Sequence, residues 1–576
     1  MRDTVAMGIA VITCAALHAS AAAQTLTNMA AEVSFQAKTQ YANPFMDVEL
    51  DVLFTDPVGT QVKVPAFWAG DNTWKVRYAS PVAGVHLYRT VCTETSDAGL
   101  HGVAGRVKIK TYTGDNSLYR HGPLQVAETG KHFVHADGTP FFWLGDTWWK
   151  GLCKRLPWEG FKELTADRKA KGYSVVQIIC GPYPDEPEFD LRWKNEGGMP
   201  YDKTYTRINP EYFHYADRRI EHLVEQNIVP AIFGAWGYHI HSVGAENMKR
   251  YWRYLIARYG AYPVVWVVVG EAFKGGHAWR AVAEYVREID PYSRVSTIHS
   301  NCGRDFAQND ALIDFDMMMP AQGGSFDEEA PLGDWRYTPI RTSSMVQAAV
   351  AKKPSMPVVI GEICYENHMM TNGADLQRLV FWSSFLLGAK GFTYGAEALW
   401  QMTSETVRGS EYGFTTWSEA MSFPGAIQLG KAKQFLQGYP WWRFESRPDW
   451  VDPHATTIDV GMDHNTAYSQ FIKKGGRWAL PYAAGIPGEV RMVYIPGHYY
   501  SWEAPTVIGL EQGVPYHAFL FCPVLGKRYE IGLVVNTGNA NVSADQMEKS
   551  RHITLRSTKP RSWSCTMTLT IPGSLL

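Results

Sequence analysis

From about Ala30 to Leu124, apolar and polar positions alternate between Gly, Asp-Pro and Asn punctuation, as in Phe45-Met46-Asp47-Val48-Glu49-Leu50 and from Val103 to Tyr112. This period of two predicts a small β-sandwich. From about Lys131 to Gly438 the rhythm changes to short apolar runs separated by amphipathic helical stretches. The pattern predicts strands at Phe141–Leu144, Ser174–Ile179, Val229–Phe233, Val264–Val269, Val295–His299, Asp316–Met319, Pro357–Ile360 and Gly391–Tyr394. Helices are predicted near Trp158–Lys171, Pro210–Gln226, Ala245–Tyr259, Ala278–Ile289, Thr342–Ala351 and Asp375–Leu387. Eight strand–helix units in this span predict an α/β fold, a (β/α)8 TIM barrel. A doubly wound sheet is the alternative, but no Gly-x-Gly-x-x-Gly follows the first strand. After about Pro440 strand-like runs return at Thr456–Val460, Val490–Ile495, Ala518–Cys522, Tyr529–Val535 and Thr566–Ile571, predicting a C-terminal β-sandwich. The expected division is a leader at 1–23, a β-sandwich at 24–124, a barrel at 125–438 and a β-domain at 439–576.

Composition narrows the function. The 576 residues carry 55 Lys+Arg against 57 Asp+Glu, so no electrostatic footprint for nucleic acid is expected. Aromatic residues make up 13%, including 21 Trp, which suits either a Trp-rich core or stacking platforms for sugar rings. Val5 to Leu17 is a short apolar run after Arg2, ending in Ala21-Ala22-Ala23-Gln24. That predicts a secretory leader cleaved near Ala23, and hence a secreted or periplasmic protein. No run is long enough for a membrane span. No Cys-x-x-Cys pair occurs; Cys180 and Cys364 read as buried thiols, and a Cys522–Cys565 pairing stays open.

Side chains at the C-terminal ends of barrel strands face the active site. Strand four ends Val269-Gly270-Glu271 and strand seven ends Ile360-Gly361-Glu362. Two carboxylates across one bond are the equipment of glycoside hydrolysis, one protonated as acid and one ionised. A structural rim ion pair is the competing reading for either acid alone. Substrate-binding candidates at the other strand ends are Asp146, Trp148, Trp149, Trp236, His299, Gln322, Tyr365, Tyr394 and Trp400. Asp146 equally suits capping of the following segment. The acidic segment Tyr183 to Glu188 suits lining of the rim, though it reads first as a solvated loop. His239 and His241 do not read as metal ligands, and neither a metal nor a cofactor is expected. There is no His-Glu-x-x-His and no Gly-x-Ser-x-Gly. Gly425 to Lys431 has phosphate-loop spacing, but Ala432 stands where a magnesium-holding Ser or Thr belongs.

Gly138-Thr-Pro-Phe-Phe-Trp-Leu-Gly-Asp146-Thr-Trp-Trp149, Gly361-Glu362-Ile-Cys-Tyr365-Glu366 and Gly391-Phe-Thr-Tyr394 through Trp400-Gln401-Met402 resemble the apiosidase-like glycoside hydrolase family, over roughly Gln125 to Gln437. The preceding region is similar to the immunoglobulin-like domain found before such barrels. Ala518 to Gly526 resembles a C-terminal β-domain with an old collagen-binding label. The resemblance implies a barrel hydrolase of plant or bacterial polysaccharides, with Glu271 and Glu362 catalytic. Relatives commonly carry Gly-Gly-Asp where this chain has Val269-Gly270-Glu271, and the extra methylene moves the carboxyl by about 1.5 Å. The expectation is an exported glycosidase acting on a polysaccharide or oligosaccharide by a two-carboxylate retaining mechanism, with Glu271 as acid/base and Glu362 as nucleophile. The rival is a non-catalytic carbohydrate-binding barrel. Oligomeric state is open.

Overall fold

A computed structural model describes residues 23–320, 322, 337–368, 372–407, 415–455, 480–497, 505–536, 542–543 and 565–570. The predicted leader, but for Ala23, and the predicted strand Thr456–Val460 lie outside these residues. The first described strand is Ala23–Leu26, which pairs in parallel with Ala104–Lys110. That pair belongs to a five-stranded sheet completed by Gly84–Cys92, Leu50–Thr55 and Gln61–Pro65. A three-stranded sheet of Ala31–Gln36, Thr73–Tyr78 and Phe67–Gly70 accompanies it. Phe35, Leu50, Val52, Phe54, Trp74, Val76 and Val107 form the sandwich core.

The barrel follows. Its strands are Trp143–Thr147, Val175–Ile179, Val229–Phe233, Val265–Val267, a fifth in two pieces, Asp316–Met318, Val358–Ile360 and Gly391–Tyr394. The fifth strand breaks at Ile298: Ser296–Thr297 pairs with strand four and His299–Ser300 with strand six. Strand one pairs with strand eight through Gly145↔Thr393 and Asp146↔Tyr394, so the parallel order runs round to its start. These strands are buried on both faces, as a parallel sheet wrapped by helices requires. The helices are Trp158–Ala170, Pro210–Glu225, Ala245–Tyr259, Ala278–Ile289, Tyr337–Ala351, Ala374–Leu386 and Pro424–Leu436, with the short Gly303–Ala307 after strand five. Pro210–Glu225 shows how the sequence starts a helix: Pro210 takes the first position, and the Asn209 side chain accepts from the Glu211 N–H. The Gly425–Lys431 segment lies inside the helix after strand eight, not in a loop.

The C-terminal sheet orders Glu445–Ser446, Tyr482–Ile486, Val490–Ile495, Cys565–Thr570, Pro515–Cys522 and Lys527–Val535. Its Tyr494 stacks on Trp382 of the barrel, and Phe521 on Phe435. Cys180 and Cys364 are buried free thiols, and Cys522 is also free.

Sandwich and barrel are clamped by buried charge. Arg77 of the sandwich donates to Asp217 at 2.6 Å, and Arg258 donates to the same carboxylate at 2.7 Å. Two guanidinium groups hold the Asp217 carboxyl far below the usual range despite its burial. Phe67 packs under both cations.

Candidate active site

Strand seven runs directly into Gly361-Glu362, strand four reaches Gly270-Glu271 through Val268-Val269, and both glycines are forced by crowding. A Cβ on Gly270 would stand 2.2 Å from the Trp236 ring, and one on Gly361 would stand 2.5 Å from Met317. Glu271 follows in the left-handed region at φ 45°, uncommon for a residue with a side chain. Its N–H donates to His299 Nδ1 at 3.2 Å. Its Oε2 accepts from the Trp236 indole at 2.7 Å and pairs with Lys274. Backbone strain of this kind persists where the surroundings over-determine it, and it gathers at active sites.

Glu362 lies deeper. Its Oε1 accepts from Gln322 Nε2 at 2.7 Å, and the Gln322 Oε1 faces the Tyr365 N–H at 3.5 Å, which fixes the amide. Its Oε2 lies 3.3 Å from His299 Nε2 but out of line for a hydrogen bond, so both buried atoms lack a partner among the described residues. Gln177 on strand two donates to the Gly361 carbonyl at 2.8 Å and steadies this strand end. The two carboxylates retain 15% and 8% side-chain exposure, so both reach the barrel mouth.

The electrostatics bind the acids into a pair. Burial, then the Glu271 charge, push the Glu362 carboxyl up to about 8, while the Tyr365 hydroxyl and Lys274 work the other way. Burial drops His299 to about 3, so its ring is neutral. Since Nδ1 accepts from Glu271, the ring proton sits on Nε2, toward Glu362.

The aromatic candidates split into two groups. Trp149 is buried against Phe233, Trp236 and His299, and its indole donates to the Tyr365 hydroxyl at 2.9 Å. Tyr365 stacks on Trp400. These rings, with Trp236, support the acids from behind. Asp146, Trp148 and Tyr394 are corrections to the sequence reading. Asp146 points out to the first barrel helix, where its carboxylate takes Arg168, the Trp148 indole at 2.9 Å and the Thr147 N–H at 2.9 Å. The Trp148 ring packs edge-on against Phe161. The Tyr394 hydroxyl donates to Glu366 at 2.6 Å, and Glu366 also accepts from the Gly425 N–H. All three lock strands to helices and do not face the acids. His368 is taken up by Glu397 at 2.6 Å.

The segment after strand two is a loop whose Asp185, Pro187 and Glu188 are exposed, as expected, and the correction concerns its other half. Tyr183 and Glu186 are buried, and Glu186 is held by Lys150 and Arg155. That anchor presents Asp185, at φ 68°, to the barrel mouth, with its N–H on the Tyr238 hydroxyl at 3.2 Å. Burial first, then the Glu271 and Glu186 charges, raise the Asp185 carboxyl, against Lys150 and Lys274. Its position after a strand end was the available signal; nothing in the segment marked the buried anchor. His239 Nε2 lies 2.8 Å from the Tyr183 carbonyl and its Nδ1 3.2 Å from Glu188, and no group of three or more His, Cys, Asp or Glu among the described residues is arranged to hold a metal.

Comparison with known proteins matches this architecture. No curated protein matches the chain. A structure described as a glycoside hydrolase superposes with TM-score 0.61 at 19% identity, covering 80% of this chain and 99% of the other. A glycoside hydrolase family 5 structure from Bacteroides vulgatus gives TM-score 0.62 at 17% identity, covering 79% and 94%. At these identities the likeness establishes the fold. Residues 29–93 match a domain of unknown function, DUF5060. Residues 127–443 match the model of the apiosidase-like catalytic domain, and the chain belongs to that family, with a glycoside hydrolase barrel at its centre.

Proposed function

We propose that this chain cleaves an O-glycosidic bond of a plant or microbial polysaccharide or oligosaccharide by a retaining double displacement. The observation that carries the reading is the Glu362 carboxyl, with no hydrogen bond at Oε2 among the described residues and raised first by its burial and then by the charge of Glu271. Depth supports this division of roles. An acid/base must exchange protons with the leaving oxygen and then with water, which suits the more exposed Glu271. A nucleophile must be held still, which suits Glu362 between Gln322 and His299. The competent pair carries one proton, and that count belongs to the pair. Glu362 attacks the anomeric carbon as Glu271 gives its proton to the leaving oxygen. Water activated by Glu271 then releases the sugar.

The raised Glu362 carboxyl also suits the opposite assignment, with Glu362 as acid. Azide separates the two. With Glu362→Gln, azide should yield a glycosyl azide of inverted configuration; with Glu271→Gln, one of retained configuration. The product anomer, read by proton NMR on a cleaved glycan, tests retention. A carboxyl separation of about 6.5–9.5 Å instead of about 5–5.5 Å would indicate inversion. The leader sequence supports action outside the cytoplasm, tested by recovering an exported chain that begins at Gln24.

A further inference from the structure

The five-stranded sheet of the N-terminal sandwich has an outer face that packs against no second sheet. Pairing register places Val85, Leu87, Arg89 and Val91 on it, opposite Lys108, Arg106, Ala104 and Asp51 of the neighbouring strands. Leu53 and Lys63 lie in the row of Arg89, and Lys110 stands one step beyond Lys108. Residues 23–124 hold nine basic and nine acidic side chains, so the domain is neutral overall. The charge is segregated: this face carries Lys63, Arg89, Arg106, Lys108 and Lys110 against Asp51 and, at the end of its row, Glu49, which lies 3.8 Å from Arg250 and Arg253 of the barrel. Asp51 is already bonded to Arg253 of the barrel at 2.5 Å, with Lys63 at 3.6 Å. Arg89, Arg106, Lys108 and Lys110 are exposed and have no ion pair among the described residues. Between them Val85, Leu87 and Val91 are 46%, 58% and 50% exposed.

We propose that this face binds a linear anionic polysaccharide, one bearing carboxylates along its length, and holds it beside the barrel. Arg106, Lys108 and Lys110 alternate along one strand, so their charges repeat every roughly 7 Å on a flat surface. That is a track for a chain of fixed charges. The Val and Leu side chains between the cations offer contact to the C–H faces of sugar rings. No aromatic residue stands on this face in the paired rows, so it lacks the platforms that hold bases and the ring anchors of membrane interfaces. The choice of a glycan among polyanions rests on the hydrolase reading of the barrel; the charge pattern does not.

The test uses the full chain at low salt, with binding to polygalacturonate measured by affinity electrophoresis and calorimetry. Neutral galactan, phosphatidylserine vesicles and duplex DNA serve as the other arms. Polygalacturonate should bind best, and binding should weaken as salt rises. Arg106→Ser/Lys108→Ser/Lys110→Ser should bind at least about tenfold more weakly, with an unchanged melting temperature. Glu362→Gln should bind as the natural chain does, so a failed hydrolase reading would leave this result standing. Equal binding to neutral galactan, tighter binding to vesicles or DNA, or a triple variant that binds normally overturns the proposal.

Discussion

His299 Nε2 stands 3.3 Å from Glu362 Oε2, while Nδ1 of the same ring takes the Glu271 N–H at 3.2 Å. One neutral imidazole therefore touches both acids: the backbone of one and the carboxyl of the other. Turning the ring over would lose the Glu271 contact, so the tautomer is fixed by the strand-four end. A nitrogen-15 NMR spectrum should show a neutral ring protonated at Nε2 from pH 5 to 8. An imidazolium signal with an ordinary midpoint near 6.5 would reject this account. His299→Ala should cut kcat by on the order of 100-fold with little change in folding, through loss of positioning.

Glu362→Gln should lower turnover by at least about 1,000-fold on any glycan the natural chain cleaves. The fold should be retained, because the amide still fits Gln322. Circular dichroism checks the fold, and reducing-sugar release checks the rate. A variant within tenfold of the natural rate would remove Glu362 from the mechanism.

The same residue predicts a pH-dependent cost in stability. Its folded-state value, about 8, lies above that of an unfolded glutamate at 4.5. Folding is favoured while the carboxyl is protonated, and this contribution is lost as pH rises through about 8. Glu362→Gln should therefore melt at the same temperature as the natural chain near pH 4 and at a higher one near pH 9. The gap should reach a few kcal/mol, following the usual 1.4 kcal/mol per pH unit. Parallel melting curves at the two pH values decide it.

Activity should fall above about pH 8, as the pair loses its shared proton. Lys274 lowers Glu362 and Asp185 raises it. Lys274→Met should thus move the alkaline limb of kcat/KM upward, and Asp185→Asn should move it downward. Limbs that stay in place, or move the other way, would show that the mouth charges do not set the pair.

Asp217→Ala should destabilise the chain by roughly 3–5 kcal/mol, because Arg77 and Arg258 would stay buried without their shared carboxylate. Thermal or denaturant unfolding measures this. A loss below 1 kcal/mol would mean that the clamp contributes little.

Much of this was legible in the chain itself. Strands Val229–Phe233 and Gly391–Tyr394 and helices Ala245–Tyr259 and Ala278–Ile289 fall on their predicted bounds, because strong apolar patterns are broken there by residues such as Gly244, Gly260 and Asp290-Pro291. Strand one was read too early: Pro140–Phe141 belongs to a small antiparallel sheet, and the barrel strand runs on to Thr147. Strand-end logic located Glu271, Glu362, His299 and Gln322. It placed Asp146 and Tyr394 near the mouth but could not choose a face, since alternate strand residues point in opposite directions. Their outward partners, Arg168 and Glu366, come from distant segments. Asp185 was hidden because its presentation depends on Lys150 and Arg155 reaching a buried Glu186.

The left-handed backbone at Glu271 has a consequence for how this position tolerates change. Aspartate and asparagine adopt that conformation more cheaply than glutamate, and glycine more cheaply still. Shortening the acid would ease the main chain and draw the carboxyl back from the mouth; replacing it with glycine would ease the chain further and leave no carboxyl there. Reach at this one side chain is therefore sustained against the preference of its own backbone.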